Sequence, residues 1–335
     1  MRPFLLKRSS GRKTSMSIPW LTHSMCRFLL KRLIGLIFVI FGASFLTFIM
    51  GYFAPGDPIT AKTGNKLGTT IHLQLKHEYG LDLPWWQQYY HFLINIVHGS
   101  FGPSFQYPSS TAWEVIQRGL PTSIELGLEV LAVSLIVGIP LGIVSALRAN
   151  TYVDTMVTSV VMTLYAVPTL ILIVAFHLCM LWLATNNLPH LPLYGWDNLQ
   201  ERIAPVLITA ITGAGYFTRL TRISLLEVLG LDFIRTARAK GLREQIVIVR
   251  HAMRYAFIPI LTSIGPSLGY LVTGIYITER FFEIPGASQF TLDAVNQLDY
   301  PVLQASVILT SFSVVVFNAL TDVAYAFFDP RIRVE

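Results

Sequence analysis

The strongest constraint on this chain is a succession of apolar stretches, each about as long as a bilayer's hydrocarbon core is thick. The first, Leu33 to Phe53, has no charged residue, and about 20 such residues suffice for a helical crossing. Five more follow: Ile124 to Leu147, Val153 to Ala184, Ile203 to Leu225, Ala256 to Phe282 and Val302 to Phe328. Lipid offers the backbone no hydrogen-bond partner, so segments of this kind cross as helices. The expected fold is all-α, a polytopic membrane protein of six transmembrane helices. Composition agrees: 53% of residues are hydrophobic and 13% charged, against about a quarter charged in soluble domains. Pro168 predicts a kink or break in the third crossing. Gly138 and Gly142, and again Gly265 and Gly269, have the spacing that lets two helices approach closely.

Charge orients the crossings. Residues 1–32 hold eight Lys or Arg and residues 222–254 hold seven, whereas 185–202 and 283–300 together hold only Arg202. Basic residues remain on the cytoplasmic side, so both termini are expected there. Residues 54–121 and 283–300 are then external. Trp85, Trp86, Tyr89 and Tyr90 suit the headgroup level. Residues 1–26 read as a basic cytoplasmic tail, and their lack of an apolar core excludes a secretory signal.

The basic stretch Glu227–Pro259 lies between the fourth and fifth crossings. Asp232 is placed to cap a short helix, Phe233 to Lys240 contains no glycine or proline, and Gly241 suits the left-handed position that ends a helix. Leu242 is expected to pack back on that helix. Two turns are unstable alone in water, so the helix needs a support. Ala237 and Ala239 would allow a partner surface to come close. A second helix is expected from about Glu244.

No G-x-x-x-x-G-K-[ST] phosphate loop occurs, and Gly64-Asn65-Lys66-Leu67-Gly68 has the wrong spacing. His72 with His77, and His91 with His98, are read as solvated histidines, and His177 as a hydrogen-bonded interior histidine. Cys26 and Cys179 suit neither a disulfide nor a metal site. The net charge of +6 gathers beside apolar segments without an aromatic-basic platform, which argues against nucleic acid. Ionisable groups in the crossings lie near segment ends: Glu125, Glu129, Arg219, Glu279, Arg280 and Asp322. An ion-coupled transporter or channel, the competing class, usually needs such a group at depth.

Arg235-Thr236-Ala237-Arg238-Ala239-Lys240-Gly241-Leu242, followed by Arg250-His251-Ala252-Met253-Arg254-Tyr255-Ala256-Phe257-Ile258-Pro259, resembles the cytoplasmic coupling loop of ABC-transporter permeases. The resemblance is to the oligopeptide, dipeptide and nickel importers, B-type subunit. Those permeases' general pattern of Glu-Ala-Ala, three residues and Gly lacks its acidic residue and first alanine here. The segments Tyr79 to Phe92, His98 to Phe105 and Asp329 to Arg333 also look like that family, and the likeness covers roughly Met25 to Glu335.

The resemblance implies a type I importer permease fold. It divides the chain into a tail at 1–26, a first helix with an external region at 27–121, a permease core at 122–328 with the coupling loop at 226–255, and a cytoplasmic end at 329–335. The implied ATPase-coupling residues are Asp232, Arg235, Thr236, Ala237, Arg238, Ala239, Lys240 and Gly241. Implied partners are a second permease subunit, two ABC ATPase subunits and an external substrate-binding protein in a prokaryotic inner membrane. This chain would bind no cofactor and perform no catalysis, with ATP and Mg used by the ATPases. Peptide is the expected cargo; nickel, glutathione or another small solute are the alternatives.

Overall fold

The computed structural model describes residues 19–63, 69–107 and 109–328. The helices run in order as α1 (Pro19–Phe53), α2 (Pro58–Thr63), α3 (Thr69–Glu78), α4 (Trp85–Val97), α5 (Ala112–Leu147), α6 (Tyr152–Ala166), α7 (Thr169–Thr185) and α8 (Leu199–Leu229). Then come α9 (Asp232–Ala239), α10 (Glu244–Ile246), a π-helical turn at Val247–Ala252, α11 (Met253–Tyr270), α12 (Tyr276–Phe281), α13 (Ala287–Asn296) and α14 (Tyr300–Phe328). No strand occurs among the described residues, only an isolated bridge between Pro103 and Thr111.

Five helical stretches are long and apolar enough to cross a membrane, and the pair α6–α7 makes a sixth if it is one span. That pair bends by 90°. Pro168 disfavours helical geometry in the residue before it, and Val167 is extended at φ −76°, ψ 123°. The third crossing is therefore broken where the sequence placed its weak point.

The glycine pairs bring the helices together. A Cβ on Gly138 would lie 2.8 Å from the Ala214 carbonyl oxygen, and one on Gly142 would lie 2.6 Å from that of Thr218, so α5 packs backbone to backbone on α8. At Gly269 the same construction meets Val314 Cα at 2.5 Å, which seats α11 on α14. Any larger residue at these positions would force the helices apart.

Four expectations change. The first crossing belongs to a helix that already starts at Pro19, inside the segment read as a tail; residues 1–18 lie outside the described residues, as do 64–68 and 329–335. The second crossing begins at Ala112, because Thr111 and Glu114 form a capping box there, and a proline inside a packed bundle, here Pro121, does not end a helix. The fifth ends at Tyr270, not Phe282: a 3-10 turn at Leu271–Thr273 leads to Gly274 at φ +78°, and α12 then starts a new direction. Tyr89 is buried against Phe48 and Phe92 with its hydroxyl 3.1 Å from Ser44 Oγ, while Trp85, Trp86 and Tyr90 are exposed.

Candidate coupling surface

The short helix α9 has two unlike sides. Ile234 and Ala237, three residues apart, are buried in one cluster with Ala146, Leu225, Val228, Val247, Ala252 and Ala256. Full burial of an isoleucine contributes about 1.5–3 kcal/mol, which eight residues of isolated helix could not supply themselves. Asp232, Arg235, Thr236, Arg238, Ala239, Lys240 and Gly241 are all exposed. The body of the protein thus holds a charged surface outward through two apolar contacts.

The turn after α9 is set by Gly241, at φ +73°, as expected of a left-handed helix end. A Cβ there would meet nothing within 4 Å, so glycine is needed for its backbone and not for space. Arg238 spans the turn, donating from Nε to Glu244 Oε2 at 3.1 Å and from Nη2 to Oε1 at 2.6 Å. The hydrogen-bonded Glu244 carboxylate raises the Arg238 guanidinium above its ordinary pKa. Phe233 packs against Tyr255, with ring centroids 5.0 Å apart.

Three details differ from the sequence reading. Leu231 occupies the N-cap and makes no side-chain cap bond, so Asp232 is the first helical residue; its carboxylate lies 3.5 Å from Arg235. Leu242 remains exposed, because the turn is closed by the Arg238–Glu244 pair and not by apolar contact. Ala237 faces its own core; of the two alanines only Ala239 is available to a partner.

Beside this surface lies an ion pair that no local pattern announces. Arg222 Nε and Nη2 each donate to Asp154, at 2.8 Å, and Ser145 Oγ donates to the same carboxylate at 2.5 Å. Asn150 N also donates to it, at 2.9 Å. Asp154 is buried, and a bidentate, hydrogen-bonded pair is the arrangement in which a buried charge is tolerated. It ties the turn between α5 and α6 to α8, about two turns before the chain leaves for α9. Asp154 and Arg222 are 68 residues apart, so only the fold joins them.

At the other end of the bundle a second charge is turned inward. Glu279 of α12 is fully buried. Its Oε1 accepts from Ser123 Oγ at 2.7 Å and Ile275 N at 3.1 Å, and its Oε2 from Ser288 N at 3.1 Å and from Ser288 Oγ. Side chains at Gly274 or Gly286 would collide with this carboxylate. Read in sequence as one of several end-of-segment charges, it joins α5, α12 and α13 instead.

No group of three or more His, Cys, Asp or Glu among the described residues could hold a metal ion. His72 and His77 separate onto Asp57 and Asp82, at 2.5 Å and 2.7 Å. His177 Nδ1 bonds the Ile173 carbonyl at 2.9 Å, while its Nε2 has no partner among the described residues.

Two family models match the chain. Residues 138–334 match the binding-protein-dependent transport system inner membrane component, and residues 25–127 match the corresponding N-terminal membrane component. The chain is 33% identical over 309 residues to a dipeptide transport system permease protein of Bacillus subtilis, covering 92% of this chain and 98% of that one. It is 34% identical over 342 residues to the dipeptide permease of Escherichia coli strain K12, covering 92% and 99%. A glutathione transport system permease of the same strain is 34% identical over 311 residues, with the same two coverages.

Proposed function

The chain belongs to the binding-protein-dependent transport system inner membrane components, the permeases of ABC importers, and we propose that it carries small peptides as one half of a two-permease pathway. It is a multi-pass inner-membrane protein whose family works with ATPase and binding-protein partners. In our reading the partners are one second permease subunit, two ATPases on the cytoplasmic face and one external binding protein, with both termini of this chain cytoplasmic. ATP and Mg are used by the ATPases.

The observation that carries the mechanism is the two-sided α9. Its exposed face of Arg235, Thr236, Arg238, Ala239 and Lys240 docks on an ATPase, while Ile234 and Ala237 transmit the displacement to α8 and α11 through their shared cluster. ATPase closure moves α9, and the crossing helices rock with it. Arg235 and Lys240 are the better probes of docking, because Arg238 is already engaged by Glu244. Arg235→Glu combined with Lys240→Glu should reduce ATPase co-purification at least tenfold while pairing with the second permease persists. Unchanged co-purification together with unchanged uptake would remove α9 as the coupling element.

The dipeptide relatives favour peptide cargo, and the glutathione relative supports a second reading. Uptake of labelled dipeptide and of labelled glutathione, each competed by the other, separates them. Dipeptide uptake that excess glutathione leaves untouched supports the first reading; the reverse pattern supports the second.

A further inference from the structure

We propose that one face of α8 lines the water-filled pathway and that Arg219 gives this lining a preference for anionic solutes, the carboxylate end of a small peptide being the natural one. Thr209, Thr212, Tyr216 and Arg219 follow one another at spacings of three, four and three, which puts them on one side of a helix. The first three each reach a different helix. Thr209 Oγ1 lies 2.8 Å from Thr278 Oγ1 of α12, Thr212 Oγ1 lies 3.3 Å from Thr169 Oγ1 of α7, and Tyr216 Oη lies 2.9 Å from Ser263 Oγ of α11. Ser263 Oγ also donates to the Pro259 carbonyl at 3.1 Å, so Tyr216 is the donor of the pair.

Tyr216 lies about 25 Å along α8 from Leu199, at 1.5 Å per residue, and is therefore well inside the span. It is nevertheless 43% exposed. Arg219 is exposed one turn further in and makes no hydrogen bond or ion pair among the described residues. Arg222, a turn beyond it, is already neutralised by Asp154. The outward faces of other spans are different. On α1 they present Leu33, Ile34, Ile37 and Phe38, and on α7 Leu178 and Trp182. Those faces suit lipid. A polar row ending in an uncompensated guanidinium does not, and charged groups within spans face water or a partner.

A cation at the inner end of such a row favours a carboxylate over an ammonium group, an effect that solvent inside the span screens only in part. Assigning the anion to a peptide rests on the function proposed above. The lining itself does not, and it is tested without any transport.

The test uses the complete importer in inside-out vesicles, with Cys26 and Cys179 replaced by serine. Tyr216→Cys is treated with two methanethiosulfonates of similar size, one anionic and one cationic. Tyr216→Cys should react at least tenfold faster than Phe38→Cys on α1. Adding Arg219→Gln should lower the ratio of anionic to cationic rates about fivefold, the size expected for one charge a helical turn away in a partly screened site. Both reagents need the thiolate, so a change in thiol ionisation cancels in the ratio. Arg219→Lys should retain the ratio. Ser263→Cys, whose native hydroxyl meets Tyr216 from α11, repeats the measurement if Tyr216→Cys fails to assemble.

A thiol at both positions as unreactive as Phe38→Cys would overturn the lining and assign the face to lipid or to the second permease. A ratio indifferent to Arg219→Gln would overturn the anion preference. Normal labelling in a system that imports no dipeptide would count against the peptide reading alone.

Discussion

The loop around α9 and the segment around α12, inner and outer in the proposed orientation, are both tight reversals between long helices, and both turn on a glycine with positive φ. Their charges are handled in opposite ways. At α9 the basic groups stand in water above two apolar contacts, and Gly241 has open space where a side chain would be. At α12 the carboxylate of Glu279 is enclosed, four donors satisfy it, and Gly274 and Gly286 yield their side-chain space to it. In the proposed function the α9 segment is completed by another protein. The outer one is complete in itself, since an unpaired buried charge would be costly.

This contrast is most severely tested at Glu279. Glu279→Ala leaves Ser123 Oγ, Ile275 N and both Ser288 donors without an acceptor, and a buried unsatisfied polar group costs about 1–3 kcal/mol. The purified permease should lose roughly 3 kcal/mol or more, read as a marked fall in its detergent melting temperature. Glu279→Gln should be intermediate, because it keeps one acceptor oxygen but sets an amide against other donors. A fully stable Glu279→Ala would place the outer segment on the same footing as the inner loop.

A matched pair of glycine substitutions comes next. Gly241→Ala meets the strain of a left-handed helix end, about 1 kcal/mol, whereas Gly274, at φ +78°, ψ 176°, sits in an extended positive-φ region that essentially only glycine enters, where a side chain costs about 1–3 kcal/mol. Only at Gly274 does the new methyl also collide with Glu279. Gly274→Ala should therefore lower the melting temperature distinctly more than Gly241→Ala. Equal losses would mean that neither the collision nor the rarer backbone region at Gly274 weighs on its turn.

Gly241→Val sharpens the functional side. Valine tolerates the left-handed region worse than alanine, and two helical turns have little stability of their own to absorb about 1–2 kcal/mol. Insertion and permease pairing should survive, while ATPase retention and uptake fall several-fold. Gly241→Asn should be milder, since asparagine enters that region more readily. Co-purification measured beside uptake decides it: wild-type values for Gly241→Val would separate the loop from coupling.

The smallest effects are expected from labelling single cysteines with impermeant maleimide in intact cells. Gln200→Cys and Asn296→Cys, both exposed, should react from outside, and Gln245→Cys should not. Ser288→Cys should stay unlabelled although the proposed orientation puts it in the same external stretch as Asn296, because Ser288 is buried against Glu279. Rapid labelling of Ser288→Cys would show that the outer segment opens; labelling of Gln245→Cys would reverse the proposed orientation.

Local chemistry carried a large part of this protein. The length of the apolar runs, Pro168 as a break, the glycine pairs as points of close approach and Gly241 as a left-handed stop depend on neighbours in the chain, and each could be read there. The outline of α9 as a short helix with an exposed basic face was legible for the same reason. Which side of α9 is buried was not: Ala237 and Ala239 look alike until the α8 and α11 residues that cover Ile234 are in place. Leu242 looked apolar enough to pack, and an ion pair across the turn left it outside. Asp154 with Arg222, Glu279 with Ser123, and Tyr216 with Ser263 lie 68, 156 and 47 residues apart. Whether a charge within a span is buried and satisfied, paired, or left facing water depends on what distant helices bring against it. Periodicity places such a residue on a face of its own helix, but only the packing of the bundle decides what that face meets.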